Sequence, residues 1–166
     1  MTLTNDPSAE PIIRRARIED YERLCALYEQ LDAFHCHARP DIFVKPEGEA
    51  RSIERVSQQI HGPDSAVFVA ERTGAVLGFA VVAQRQVPAI PVRRSEAYAD
   101  LDELVVDESH RRMGLGRRLI AASEAWARER GLASLSIGVW AFNSAAWALY
   151  ECAGYKVQTL RLAKRL

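Results

Sequence analysis

Apolar positions change their rhythm several times along the chain, and each rhythm predicts an element. Residues 11–17 set Ile12, Ile13 and Ala16 into an otherwise charged stretch and read as a first strand. Over residues 19–33, Tyr21, Leu24, Leu27, Tyr28 and Leu31 recur at spacings of three and four, the stripe of an amphipathic helix. Pro40, Pro46 and Gly48 punctuate residues 35–48, which predicts a surface loop. A more polar helix is predicted over 49–60, stopped by Gly62-Pro63.

The middle of the chain is richer in β-branched and apolar residues. Residues 65–71 and 75–83 predict two strands joined across Arg72-Thr73-Gly74 as a hairpin. In the second strand Leu77, Phe79 and Val81 alternate with Val76, Ala80 and Val82, so both faces are apolar. Such a strand is covered on both sides and therefore central. A loop over 84–95, with Pro88, Pro91 and Arg93-Arg94, leads to a strand at 96–106.

From there helix and strand alternate. A helix at 114–130 carries Leu115, Leu119, Ala122 and Trp126 on one stripe, with Gly131 as its stop. A short strand follows at 135–139, and Asn143 caps a helix at 144–153 that ends at Gly154. A closing strand is predicted at 155–162, before a basic tail. The order predicts an α/β layered fold with a mixed sheet, one domain over 11–166 behind a flexible N-terminal stretch at 1–10.

Composition narrows the class without changing the fold. With 166 residues, 48% hydrophobic and 27% charged, the chain suits one globular domain rather than a disordered segment. The 22 basic and 22 acidic residues cancel, which argues against a nucleic-acid or anionic-membrane partner. Cys25, Cys36 and Cys152 are odd in number and widely spaced, and read as reduced thiols in the cytoplasm. No apolar run approaches the roughly 20 residues that span a bilayer.

Candidate chemistry concentrates in two stretches. In the first, the strand ending Leu104-Val105-Val106 runs through a polar turn into Arg111-Arg112-Met113-Gly114-Leu115-Gly116-Arg117 and a long helix. The first amides of a helix lack internal partners and the macrodipole adds positive charge there, so a glycine turn ringed by arginines suits an anion. A solvated basic turn is the plainer reading of the same residues. It is neither a dinucleotide fingerprint, lacking the third glycine, nor a P-loop, lacking Gly-Lys-Ser/Thr. In the second stretch, Asn143 opens a helix, Tyr150 lies about two turns on along the same face, and Gly154-Tyr155 follows.

Together, in this order, the two stretches resemble the GNAT superfamily of acyl-CoA-dependent N-acyltransferases. The match is to a Gln/Arg-x-x-Gly-x-Gly/Ala signature, here Arg111 to Gly116, and to a downstream Asn, Tyr and Gly-aromatic pair, here Asn143, Tyr150 and Gly154-Tyr155. The resemblance implies a GNAT-like sheet of about six or seven strands flanked by about four helices, splayed between 96–106 and 135–139. It implies acetyl-CoA as co-substrate, bound at the pyrophosphate by amides from Arg112 to Arg117 and along the arm by Leu104, Val105 and Val106. Asn143 would touch the arm and Tyr150 its sulfur. No metal is implied.

The implied reaction is direct attack of a primary amine on the thioester. An amine of lysine type has a pKa near about 10.4 and must first lose a proton, which a carboxylate can take. Asp102 and Glu103 are the candidates, with Glu103 slightly preferred; alternation along a strand predicts that they face opposite ways. A backbone N–H near Val105 or Val106 would stabilise the oxyanion, and Tyr150 would protonate the departing thiolate. His35, His37 and Phe43, in the loop after the first helix, are where relatives form part of the acceptor pocket. His35 and His37 with Cys36 make a poor metal set. The acceptor is a small-molecule or peptide amine, and relatives are often dimers. Competing readings are a catalytically silent acyl-CoA-binding module on the same fold and an unrelated phosphate-binding protein.

Overall fold

The computed structural model describes residues 9–48 and 51–164; the N-terminal expectation at 1–8 and the start of the second helix at 49–50 lie outside the described residues. Five strands form one sheet in the order β1-β2-β3-β4-β5. These are β1 (Ile12–Arg15), β2 (Ser65–Arg72), β3 (Ala75–Val87), β4 (Glu96–Val106) and β5 (Leu135–Ile137). The first four are an antiparallel meander, and β5 joins β4 in parallel after a helical crossover, so the sheet is mixed.

Four α-helices flank the sheet: α1 (Tyr21–Ala38), α2 (Ile53–His61), α3 (Leu115–Glu129) and α4 (Ser144–Cys152). Their apolar stripes divide the core in two. On one face Leu24, Leu27 and Tyr28 of α1 and Val56 of α2 bury against Val67, Val69, Phe79, Val81 and Val105. On the other, Leu115, Leu119, Ile120 and Trp126 of α3 pack on Ala80, Val82, Ala99 and Leu101. β3, wedged between both layers, is buried without interruption from Val76 to Ala83, as its two apolar faces predict. The hairpin before it turns on Thr73 (φ 49°) and Gly74 (φ 84°), the two positive φ values of a type I′ turn.

Three expectations change most, besides β5 ending at Ile137 instead of 139 and α2 starting at Ile53 instead of 49. α1 runs to Ala38 instead of residue 33, so His35 and His37 sit on its last turn and not in a loop. Nothing in 34–38 breaks a helix; Pro40 does, by forcing Arg39 out of the α region to φ −141°. β3 continues to Val87, because Gln84 to Val87 find ladder partners in Ala99 to Glu96, and the loop shrinks to the residues around Pro88 and Pro91. Residues 155–164 form no strand, so the described sheet has five strands and not six or seven. Val157, Leu160 and Leu162 remain exposed there, and a segment that buries so little does not offset the entropy of being held in a ladder.

Candidate active site

The sheet opens where β4 and β5 part. Their pairing runs from Ala99↔Leu135 to Leu101↔Ile137 and then stops, while β4 continues to Val106. Residues 102–106 therefore have β3 on one side and no strand on the other, which is the splay anticipated between these two strands.

At the far end of β4 the chain is pinned to α1. The buried Asp107 carboxylate accepts from Arg23 Nη2 at 2.6 Å, Gln30 Nε2 at 3.1 Å, the Ser109 amide at 3.0 Å and the Ser109 hydroxyl. His110 Nδ1 lies 3.2 Å away. Burial pushes this acid up, but the hydrogen bonds outweigh it and hold the carboxyl well below the usual range. Gln30 also accepts from the Glu108 amide, so α1 and the turn after β4 form one unit. Asp107 looks like one more turn residue in the sequence, and only its burial reveals it.

Beyond this anchor comes the arginine-glycine turn. Arg112 (φ 66°) and Gly114 (φ 78°) are both left-handed, and Gly114 is the N-cap of α3. No side chain caps this helix and its first turn has no acid, so the amides of Leu115, Gly116 and Arg117 stay available. Arg117 and Arg118 stand in that first turn, where the macrodipole disfavours cations. An anion in front of the helix would reverse that penalty, so these residues fit a phosphate group. Arg111, Arg112 and Met113 are exposed around the turn. The two glycines differ in role: Gly114 supplies the positive φ, whereas a Cβ on Gly116 would meet Leu149 Cδ2 of α4 at 3.0 Å. Gly116 is thus small so that α3 and α4 can approach.

α4 brings up the second stretch. Asn143 caps it, its Oδ1 accepting from the Ala146 amide at 3.1 Å. At the other end Gly154 (φ 92°) closes a Schellman turn, with Gly154 N–H donating to Glu151 O and Tyr155 N–H to Tyr150 O at 3.0 Å each. This turn sets Tyr155 edge-on to Tyr150 with ring centroids 6.2 Å apart, and Tyr155 is held by Glu124 at 3.0 Å. Tyr150, like Leu104 and Val106, packs against the buried cluster on the α3 face, and burial pushes its phenol up to about 12.

The carboxylates lie on the opposite face, and here one expectation fails. Val81 pairs with Glu103 but Val82 pairs with Leu101, so Asp102 is the extra residue of a β-bulge. The bulge breaks the alternation of β4. Leu101 and Leu104, three apart, both belong to the α3 side, and Asp102 and Glu103 both turn to the α1/α2 side. Their environments still differ. Asp102 is bound by Arg85 Nη2 at 2.9 and 2.8 Å. Glu103 makes no ion pair among the described residues; burial pushes its carboxyl above the usual range, against the pull of Arg51.

A concavity is lined by Asp32, Cys36, Phe43 and Arg51, and both Asp32 and Arg51 act on the charge of Glu103. Arg51 is clamped to Asp32 and stacks on the Tyr28 ring at 4.3 Å. His35 and Phe43 meet beside it with centroids 4.9 Å apart, while His37 is exposed. Two histidines two apart on a helix point in different directions, and among the described residues no His/Cys/Asp/Glu group could hold a metal. No described helix is long and apolar enough to cross a membrane.

Comparison with known proteins places the chain in a family and a fold. The family model described as "Acetyltransferase (GNAT) family" matches residues 27–155. The ribosomal protein bS18-alanine N-acetyltransferase of Escherichia coli is 41% identical over 63 residues, covering 38% of this chain and 43% of that protein. That match spans less than half of the relative's length. The aminoglycoside N(6')-acetyltransferase type 1 of Klebsiella aerogenes is 29% identical over 123 residues, 74% of this chain and 79% of the relative. Among solved structures, the BH1408 protein of Bacillus halodurans, in mutant form, superposes with a TM-score of 0.88 at 26% identity, covering 93% of this chain and 99% of that one. An aminoglycoside N-acetyltransferase in complex with CoA shares the fold with a TM-score of 0.76 at 20% identity, over 97% and 98% of the two chains.

Proposed function

Because the chain belongs to the acetyltransferase (GNAT) family, we propose that it moves an acetyl group from acetyl-CoA to a primary amine within one ternary complex. The observation that carries this reading is the opening between β4 and β5, with Glu103 on one face of the sheet and Tyr150 on the other. A gap in a sheet is the place where groups held on opposite faces can meet.

The α3 side suits the donor. The amides at the start of α3, with Arg111, Arg112, Arg117 and Arg118 around them, would hold the pyrophosphate. The unpaired stretch Leu104 to Val106 offers backbone groups to the arm, and Asn143 has its amide nitrogen left for a contact once Oδ1 is used as cap. Acetyl-CoA supplies an acetyl thioester open to attack by a neutral amine.

The α1/α2 side suits the acceptor. Glu103, desolvated and unpaired, takes the proton from the incoming ammonium and so releases the nitrogen lone pair. A new N–C bond forms as the C–S bond breaks, the electron pair leaves with sulfur, and the second proton that the nitrogen sheds on becoming an amide passes to the thiolate. Tyr150 is placed to donate its O–H to that sulfur. A thiol has a pKa near about 8.5, below the raised value of this phenol, so Tyr150 keeps its proton and acts as a hydrogen-bond donor to the thiolate. Asp102 is a weaker candidate for the base, because Arg85 already occupies both its oxygens.

A silent acyl-CoA-binding module would need the turn at Gly114 but would have no use for a desolvated carboxylate across the gap. Calorimetry with acetyl-CoA followed by thiol release against a panel of amines tests the proposal. Binding with amine-dependent release supports it, and failure to bind acetyl-CoA overturns it.

A further inference from the structure

Five rings from three separate segments meet beside the acceptor concavity. Phe34 and His35 come from the end of α1, Phe43 from the connection to α2, and Trp140 and Phe142 from the connection between β5 and α4. Centroids lie 4.9 Å apart for His35–Phe43, 5.2 Å for Phe43–Trp140 and 5.7 Å for His35–Phe142. Trp140 and Phe142 stack at 5.9 Å with their planes 20° apart. Part of the cluster faces water, with Phe34 39% and Trp140 42% exposed. Burial holds His35 below the ordinary histidine range, so it joins the wall as a neutral ring at pH 7.

Size and charge both restrict what this wall can face. The concavity that Phe43 lines, with Val44 and Pro46 at its edge, measures about 140 Å³. That is room for about one aromatic ring in a concavity that opens to solvent. Recognition of a polycation also needs several free carboxylates. Asp32 is taken by Arg51, Asp102 by Arg85 and Asp41 by Arg39. Asp100 lies 4.0 Å from Arg85, so the same guanidinium serves it as well. Of these acids, Glu103 alone makes no ion pair among the described residues.

We propose that the acceptor is an arylalkylamine, a primary amine with one positive charge on a flat aromatic body, whose ring lies against Trp140 and Phe43 while its nitrogen reaches Glu103. Edge and face contacts among the five rings supply the geometry that aromatic pairs prefer, and an exposed indole face also attracts a cation. The inference rests on the acetyl-transfer reading above and specifies its substrate.

The test is thiol release at saturating acetyl-CoA with phenethylamine and tryptamine against spermidine and kanamycin. The arylalkylamines should show kcat/KM at least about tenfold higher. Trp140→Ala should erase about tenfold of that preference and Trp140→Phe should retain most of it, with the acetyl-CoA Kd the same in all three proteins. Turnover of spermidine or kanamycin equal to or above that of the aromatic amines overturns the substrate class and leaves acetyl transfer standing. An unchanged preference in Trp140→Ala also overturns it. Acetyl-CoA binding without release from any amine overturns both readings together.

Discussion

Asp102 and Glu103 are neighbours in the chain, yet both turn their carboxyl groups to the face of the sheet covered by α1 and α2. The bulge opposite Val81 and Val82 puts them there, and Arg85 then separates their fates. One acid is neutralised in place, and the other is left desolvated at the edge of the gap. Bulges commonly re-aim side chains beside active sites, and this one leaves a single unpaired carboxylate where an amine would arrive.

Glu103→Gln should lower kcat/KM by about a hundredfold, the lower end of the range for loss of a general base. Because burial raises the Glu103 carboxyl, the acid limb of the wild-type pH–rate profile should lie above 4.5. Steady-state profiles of both proteins check this, and a limb that survives in Glu103→Gln would point to another base.

The same substitution should stabilise the fold. A carboxyl raised in the folded state favours folding while protonated, and that contribution is lost as pH rises through the folded value. Glutamine cannot lose it. Glu103→Gln should therefore melt higher than wild type at pH 7, with the gap closing below pH 4.5, the ordinary value of the acid. Thermal melts across that window read the difference.

Tyr150→Phe removes a hydrogen bond to a developing charge, worth about 1.5–3 kcal/mol, and should slow transfer by about ten- to a hundredfold. The phenol packs on an apolar cluster and phenylalanine keeps that packing, so acetyl-CoA affinity should hold. Single-turnover rates with calorimetric Kd values separate the two effects. A rate equal to wild type would remove Tyr150 from the reaction.

Asp107→Asn should cost about 2 kcal/mol at pH 7, because Arg23 loses a charged partner near the core. The wild-type carboxyl is depressed, so its contribution is present above the ordinary value of 3.8 and disappears as pH falls through the folded one. Denaturant titrations should show the two proteins converging in acid. Since Asp107 also ties the turn before α3 to α1, acetyl-CoA should bind more weakly in the variant.

Much of the candidate site is legible in local chemistry. Gly114 announces a left-handed residue at a helix start, and Asn143 and Gly154 announce the two ends of α4, because caps and turns are decided within a few residues. The apolar stripes of α1 and α3 and the two-faced run of β3 name the layers for the same reason: periodicity states which faces are covered. The pattern of Arg111 to Gly116 followed by Asn143 and Tyr150 carries the family.

What the chain does not declare are relations between distant residues. Strict alternation misplaces Asp102 against Glu103, because a bulge exists only in the register between two strands. Asp107 becomes an anchor only when Arg23 and Gln30, far back in α1, close around it. The ring wall joins Phe34 and Phe43 to Trp140 and Phe142 across about a hundred positions of sequence, and no local spacing foretells it. The closing strand fails for the same reason in reverse: Tyr155 to Leu162 has the residues of a strand, but a ladder needs a neighbour, and that is settled by packing. Sequence determined most of the elements, the caps at Gly114, Asn143 and Gly154, and the family; tertiary structure decided which carboxylate stays unpaired and what surrounds it, because pairing and desolvation depend on groups that meet only in the fold.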